Sequence, residues 1–121
     1  MGPSWFSCRR SDYASAVCLW VSGELDIATA PQLDQALGCV QADAALVILD
    51  LRELEFMDSS GANLIAAASG RARQAGGRLV VVRGPVQVDR IFALVGLDRQ
   101  LELVDHLPAT PSAPLPDGVQ P

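Results

Sequence analysis

Asp58-Ser59-Ser60-Gly61 is the segment whose residue types point most directly to chemistry. It lies between an apolar approach (Leu54, Phe56, Met57) and a stretch with helical spacing. The first amides of a helix have no internal partner and carry a partial positive charge. An acid or hydroxyl there caps the helix, a contribution of about 1 kcal/mol. Capping accounts for Asp58 or Ser59, but not for two serines followed by a glycine. Glycine would let another chain or a phosphate come close to the backbone. A phosphate on Ser60 would add about −1.5 to −2 charge at pH 7. It would meet the helix start favourably and Asp58 unfavourably. The segment therefore reads as a surface that modification alters sharply with little refolding.

Hydrolytic chemistry at these serines would need a positioned base. The single histidine, His106, stands at the edge of a proline-rich end, and no Gly-x-Ser-x-Gly elbow occurs. Lysine is absent altogether, which excludes a GxxxxGK[ST] phosphate loop. No catalytic residue is assigned, and the chain is read as a non-enzyme. Cys8, Cys18 and Cys39 form no CxxC pair, which fits a reducing compartment and gives no metal site and no cofactor. Cys8 and Cys18 could face each other across a hairpin of the first two strands. Buried free thiols are the ordinary case.

The elements that must hold this segment follow from composition and spacing. With 121 residues the chain is one domain's length, and 50% apolar residues with 19% charged exclude a disordered chain. Aromatic residues make up 5%, so Ala, Val, Leu and Ile must build the core. Trp5–Arg9 and Val17–Val21 read as strands, the first followed by a turn around Ser11-Asp12 and Ser15, the second closed by Ser22-Gly23. Thr29 is a candidate N-cap with Pro31 in the first turn, and Leu33, Ala36, Leu37 and Val40 give a helix to about Val40. Ala44–Leu49, ending at Asp50, is a continuous apolar run, as expected for a central strand buried on both faces.

A second helix runs from the serines to about Gln74, with Leu64, Ile65, Ala68 and Ala72 inward and Gly76-Gly77 as its stop. Arg78–Val82 is the next strand. A third helix opens at Pro85, carries Val88, Ile91, Phe92 and Val95 on one face, and stops at Gly96. Leu101–Val104 is a last short strand. The order β-β-α-β-α-β-α-β predicts an α/β fold with a mixed sheet covered by helices. Residues 1–106 form the domain. Residues 107–121 hold five prolines and read as an extended, mobile tail.

Charge bears on partners. All nine bases are arginines, and the net charge is −5. A pI near 4.6 argues against nucleic acid. From Glu24 to Asp58 eight acids face one arginine, a sum of −7, whereas Arg71 to Arg90 sums to +4. No apolar run approaches the roughly 20 residues that span a bilayer. Arg9-Arg10 is followed by Asp12 and only a short apolar stretch, which does not make an export signal. The expectation is a cytoplasmic protein with neither nucleic-acid nor membrane contact.

Four segments now stand in order: Gly23-Glu-Leu-Asp26-Ile-Ala-Thr29-Ala, Phe56-Met-Asp58-Ser59-Ser60-Gly61, Gly76-Gly77-Arg-Leu-Val, and Pro85…Arg90-Ile-Phe92…Gly96-Leu97. Together they resemble the bacterial anti-sigma factor antagonists, which are single STAS domains, over about residues 5–105. The resemblance implies a mixed four- to five-stranded sheet with three to four helices. It implies that Ser60 is phosphorylated by a partner anti-sigma factor that is an ATP-dependent serine kinase. The unphosphorylated form then binds that partner and frees a sigma factor, the phosphorylated form lets go, and a phosphatase resets it. Asp26, Thr29, Asp58, Ser59, Gly61 and Asn63 are the partner-binding residues so implied. Asp26 read alone is equally a loop acid that caps the first helix together with Thr29. The chain departs from the family in Ala62-Asn63, where a Leu-Gly or similar pair is usual, and in proline where a fourth helix usually closes the domain. Because the −7 stretch holds both motifs, the partner is expected to present a basic face and to associate more slowly with added salt. Two other readings remain: a STAS module of another assembly, such as a stressosome-like scaffold or a transport-ATPase accessory subunit, and a nucleotide-binding STAS domain.

Overall fold

The computed structural model describes residues 4–13 and 15–107. Five strands and three helices follow one another as β1 (Phe6–Tyr13), β2 (Ala16–Leu25), α1 (Ala30–Asp43), β3 (Leu46–Met57), α2 (Ser59–Gln74), β4 (Arg78–Val82), α3 (Val86–Leu94) and β5 (Glu102–Val104). The strands lie in chain order in one sheet, with β1 antiparallel to β2 and every later pair parallel. Each helix is thus a crossover that advances one strand in the same direction. Right-handed crossovers advancing one way place all their helices on one face. Accordingly Leu33, Leu37 and Val40 of α1, Ile65 and Ala68 of α2, and Val88 and Phe92 of α3 share one core with Val17, Leu19, Val47, Leu49, Leu79 and Val81 of the sheet. The other face carries a separate buried cluster of Ala16, Cys18, Leu46, Ile48, Val80 and Val82.

Three strands extend beyond their expected ends. β1 continues through Ser11 and Asp12 to Tyr13, which pairs with Ala16. An edge strand tolerates these polar residues because its outer side meets water, and Arg10 bridges Asp12 and Asp43 at 2.8 and 2.7 Å. β2 passes Gly23 and ends at Leu25. β3 passes Asp50 and ends at Met57.

The register of β2 on β3 slips twice, between Trp20 and Ser22 and again between Gly23 and Glu24. Each slip adds a residue to β3, as a bulge does. The buried positions Leu51, Leu54 and Met57 are consequently three apart rather than two. That spacing hides a strand from a search for alternation. Gly23 has φ 98°, and a Cβ there would lie 2.4 Å from the Trp5 carbonyl oxygen. Only glycine fits such a position.

The cysteines separate. Cys8 packs on the helix-covered face, and Cys18 lies in the cluster on the opposite face. Cys8 is paired in register with Val21, and Cys18 with Ser11. A Cys8–Cys18 disulfide would have to pass through the sheet, so that pairing is excluded.

Candidate functional site

Parallel strands deliver their following loops to the same sheet edge. Leu25 pairs with Met57, and the Asp58 N–H donates to the Leu25 carbonyl at 3.2 Å. The loop beginning at Asp26 therefore abuts the Asp58-Ser59-Ser60-Gly61 segment, although 32 residues separate Asp26 from Asp58.

Asp58 is the N-cap of α2. Its carboxylate accepts from the Ser60 N–H at 2.9 Å and the Gly61 N–H at 3.4 Å, while its carbonyl accepts from Ala62. Two of the first-turn amides, those of Ser60 and Gly61, are thus already occupied. Ser59 is exposed, Ser60 half-exposed, and Asn63 exposed on the next turn. A phosphate on Ser60 would therefore stand beside the Asp58 carboxylate and compete with it for these two amides.

Gly61 is not a surface residue. It is buried, and a Cβ added to it would lie 2.7 Å from Leu25 Cγ and Cδ2 and 2.9 Å from Met57 Cγ. Its missing side chain admits the two strand ends to the helix from inside, not a partner from outside. Thr29 occupies the N-cap position of α1, as expected, but without a side-chain cap. It is 4% exposed, and its hydroxyl makes no cap bond to α1. The hydroxyl instead donates to the Glu24 carbonyl at 2.6 Å and accepts from the Asp26 N–H at 3.0 Å, which ties the loop back on itself.

The Asp26 side chain closes the turn that precedes α1. Its Oδ1 accepts from the Ala28 and Thr29 N–H groups at 2.9 and 3.0 Å, and its Oδ2 accepts from the Ser4 hydroxyl. The Ser4 hydroxyl, followed by the two amides, holds this carboxyl below its usual range against the opposing effect of desolvation. A depressed carboxyl adds stability above its unfolded value, near pH 4, and loses it as pH falls through the folded value. The Ala28 and Thr29 amide resonances should therefore titrate together with a midpoint below about 3.9. A midpoint at or above that value would show that these bonds do not form in solution.

The residues that sequence reasoning missed are apolar or N-terminal. Ile27 is 78% exposed beside Asp26, Phe56 is 47% exposed beside Asp58, and Val86 is 79% exposed at the start of α3. All three follow or end parallel strands at this edge. Leu64, expected inside, instead lines a groove between α1 and α2 with Ile27, Ala30, Pro31, Ala67 and Arg71. A signal was present: an isoleucine between Asp26 and Ala28 has no reason to sit in a polar loop unless something covers it. Ser4 and Trp5 were missed as well. The Trp5 carbonyl accepts from the Glu24 N–H at 2.8 Å and its ring lies against Gly23, so the N-terminal segment braces the loop.

The acidic stretch is less polarised in space than in sequence. Asp50 is buried in mid-sheet against Arg52 at 2.7 Å, Asp43 pairs with Arg10, and Asp34 with Arg71 at 3.6 Å. Glu24, Asp26, Glu55 and Asp58 remain at the strand ends. The arginines of the +4 stretch are largely spent within the fold: Arg78 on Glu102, and Arg83 on Asp89 and Asp105.

A family model described as "Mlab, STAS domain" matches residues 8–105. The chain belongs to the STAS domain family. The anti-sigma-F factor antagonist RsfB of Mycobacterium tuberculosis is 36% identical over 106 residues, 87% of this chain and 86% of that protein. The anti-sigma-B factor antagonist of Listeria monocytogenes is 33% identical over 86 residues, covering 70% and 75%. Among solved structures, an anti-sigma factor antagonist from Mycobacterium paratuberculosis superposes with TM-score 0.78 at 33% identity, covering 85% of this chain and 88% of that one. These relatives are named as regulatory antagonists rather than enzymes. The five-stranded mixed sheet with three helices fits a single STAS domain; the fourth helix that the family usually has is not among the described elements. No helix among the described residues is long and apolar enough to cross a membrane.

Proposed function

We propose that this STAS domain is an anti-sigma factor antagonist of the cytoplasm whose binding to an anti-sigma factor, itself an ATP-dependent serine kinase, is switched off by phosphorylation of Ser60 and restored by a phosphatase. The observation that carries the reading is the placement of Ser60. It stands half-exposed on the first turn of α2, beside the Asp58 cap and the Asp26 loop, with the exposed apolar Ile27 and Phe56 on the neighbouring strand ends. Asp26, Ser59 and Asn63 flank it as partner contacts, while Thr29 and Gly61 serve by shaping the loop and seating the helix.

The chemistry is positional. The unmodified edge offers apolar side chains inside an acidic rim, which suits a complementary basic surface with an apolar centre. The phosphate arrives beside the Asp58 carboxylate, which already holds the Ser60 and Gly61 amides. Repulsion and bulk then eject the partner without refolding the domain. Incubation with the cognate kinase and ATP should add one phosphate, located at Ser60 by fragment mass analysis. Equal uptake by Ser60→Ala would overturn the assignment.

A further inference from the structure

The thiol that shares a space with Cys8 is Cys39, not Cys18. Phe6 and Cys8 of β1 and Gln32, Gln35, Ala36 and Cys39 of α1 line one groove of about 350 Å³. Alternate residues of a strand share a face, so Arg10 follows Cys8 on the side that the helices cover. The positions 32, 35, 36 and 39 form one stripe of a helix, and Asp43 lies one turn further along it. Arg10 meets Asp43 at 2.7 Å. From that contact, two residues back along β1 and four back along α1 cover about 6.8 and 6.0 Å. These steps arrive at Cys8 and Cys39. One more step of each arrives at Phe6 and Gln35, which border the same groove. Strand and helix thus run in step, and the ion pair holds the two cysteines opposite each other.

We propose that Cys8 and Cys39 are a redox pair that closes to a reversible disulfide when the protein meets a peroxide. All three thiols are free in this structure. Cys39 is exposed, whereas Cys8 is half-buried and burial pushes its thiol up. The thiolate is the reactive form, so the peroxide reacts at Cys39. The Cys39 sulfur attacks one peroxide oxygen, the O–O bond breaks, and the departing hydroxide takes the thiol proton and leaves as water. The product is a sulfenic acid. The Cys8 sulfur then gives up its proton and attacks the Cys39 sulfur. The S–O bond breaks, and the hydroxide takes that proton and leaves as a second water. Two thiols are oxidised and one peroxide is reduced. Cys39 stands one turn from the end of α1, where a helix yields most readily. That lets it close to the Cα separation of about 4.4–6.8 Å that a disulfide needs. Cys18 takes no part, because it lies on the other face of the sheet. The bond joins the two elements that flank the Asp26 loop, since β1 follows Ser4 and Trp5, which brace it, and α1 follows Thr29. Oxidation therefore stiffens the support of that loop.

The test uses the full chain and hydrogen peroxide. Treatment should remove two of the three thiols, leaving Cys18 as the one that alkylates in denaturant. Peptide mapping without reductant should show a Cys8 fragment joined to a Cys39 fragment within one monomer, and dithiothreitol should restore both thiols. In Cys8→Ser, Cys39 should stop at the sulfenic acid, which dimedone traps. In Cys39→Ser, loss of the Cys8 thiol should slow by about tenfold or more. Cys39 oxidised alone in the parent chain, or joined to Cys39 of a second copy, would overturn the pairing. So would a Cys8 thiol lost as fast in Cys39→Ser as in the parent.

Discussion

Replacing Gly61 by valine should lower the unfolding free energy by about 3 kcal/mol and the melting temperature by roughly 10–20 °C. The reason is contact geometry. A Cβ at this position falls 2.7 Å from Leu25 Cγ, an atom that cannot swing away as a side-chain tip could, and 2.9 Å from Met57 Cγ. Both residues end strands that the register holds side by side. Relief would require the start of α2 to lift from the sheet, carrying Ser60 with it. Gly61→Ala should cost less, because alanine's helix propensity returns up to about 1 kcal/mol. Leu25→Ala should cost less in the Gly61→Ala background than in the parent, a positive coupling that separate sites would not show. Calorimetric melts of the parent, the three single variants and the double variant read all of this, and a Gly61→Val chain as stable as the parent would refute the packing.

Ser60→Asp should weaken the complex with the anti-sigma kinase by roughly 10- to 100-fold, or about 1.4–2.8 kcal/mol. Ser60→Ala should bind like the parent. The Ser60 N–H is committed to Asp58 at 2.9 Å, so a new carboxylate would have to compete with Asp58 for it. It adds to Glu24, Asp26, Glu55 and Asp58 at one edge. The charge cost should shrink as salt is added, whereas the parent's own association should slow. Titration calorimetry or surface binding at two ionic strengths measures both effects. A complex indifferent to Ser60→Asp would point instead to a scaffolding STAS module.

These two residues also show how far the sequence could be read. Asp58 as the cap of α2 was legible, because helix starts obey local rules: an acid, then hydroxyls, then helical spacing. The motif order was enough to point to the family, since each motif is a short continuous segment. Gly61 was misread as an opening for a partner, because a glycine's local sequence does not say which side of its backbone is crowded. Thr29 holds the expected N-cap position, but its hydroxyl serves the Glu24 carbonyl rather than a helix amide.

The strand lengths failed for a different reason. Burial in a strand normally alternates, but two bulges placed Leu51, Leu54 and Met57 three apart. Bulges are properties of a pair of strands and leave no mark in either one alone.

The sequence by itself determined the α/β class, the element order, the central position of β3 and the serine-bearing helix start, all of which follow from periodicities and caps within a few residues. Tertiary structure alone decided what meets what. It joined the Asp26 loop to Ser60 through Leu25 and Met57, exposed Ile27 and Phe56 beside them, put Cys8 and Cys18 on opposite faces, and buried Asp50 of the acidic stretch against Arg52. Such facts depend on register and crossover hand, which are set by contacts between segments far apart in the chain.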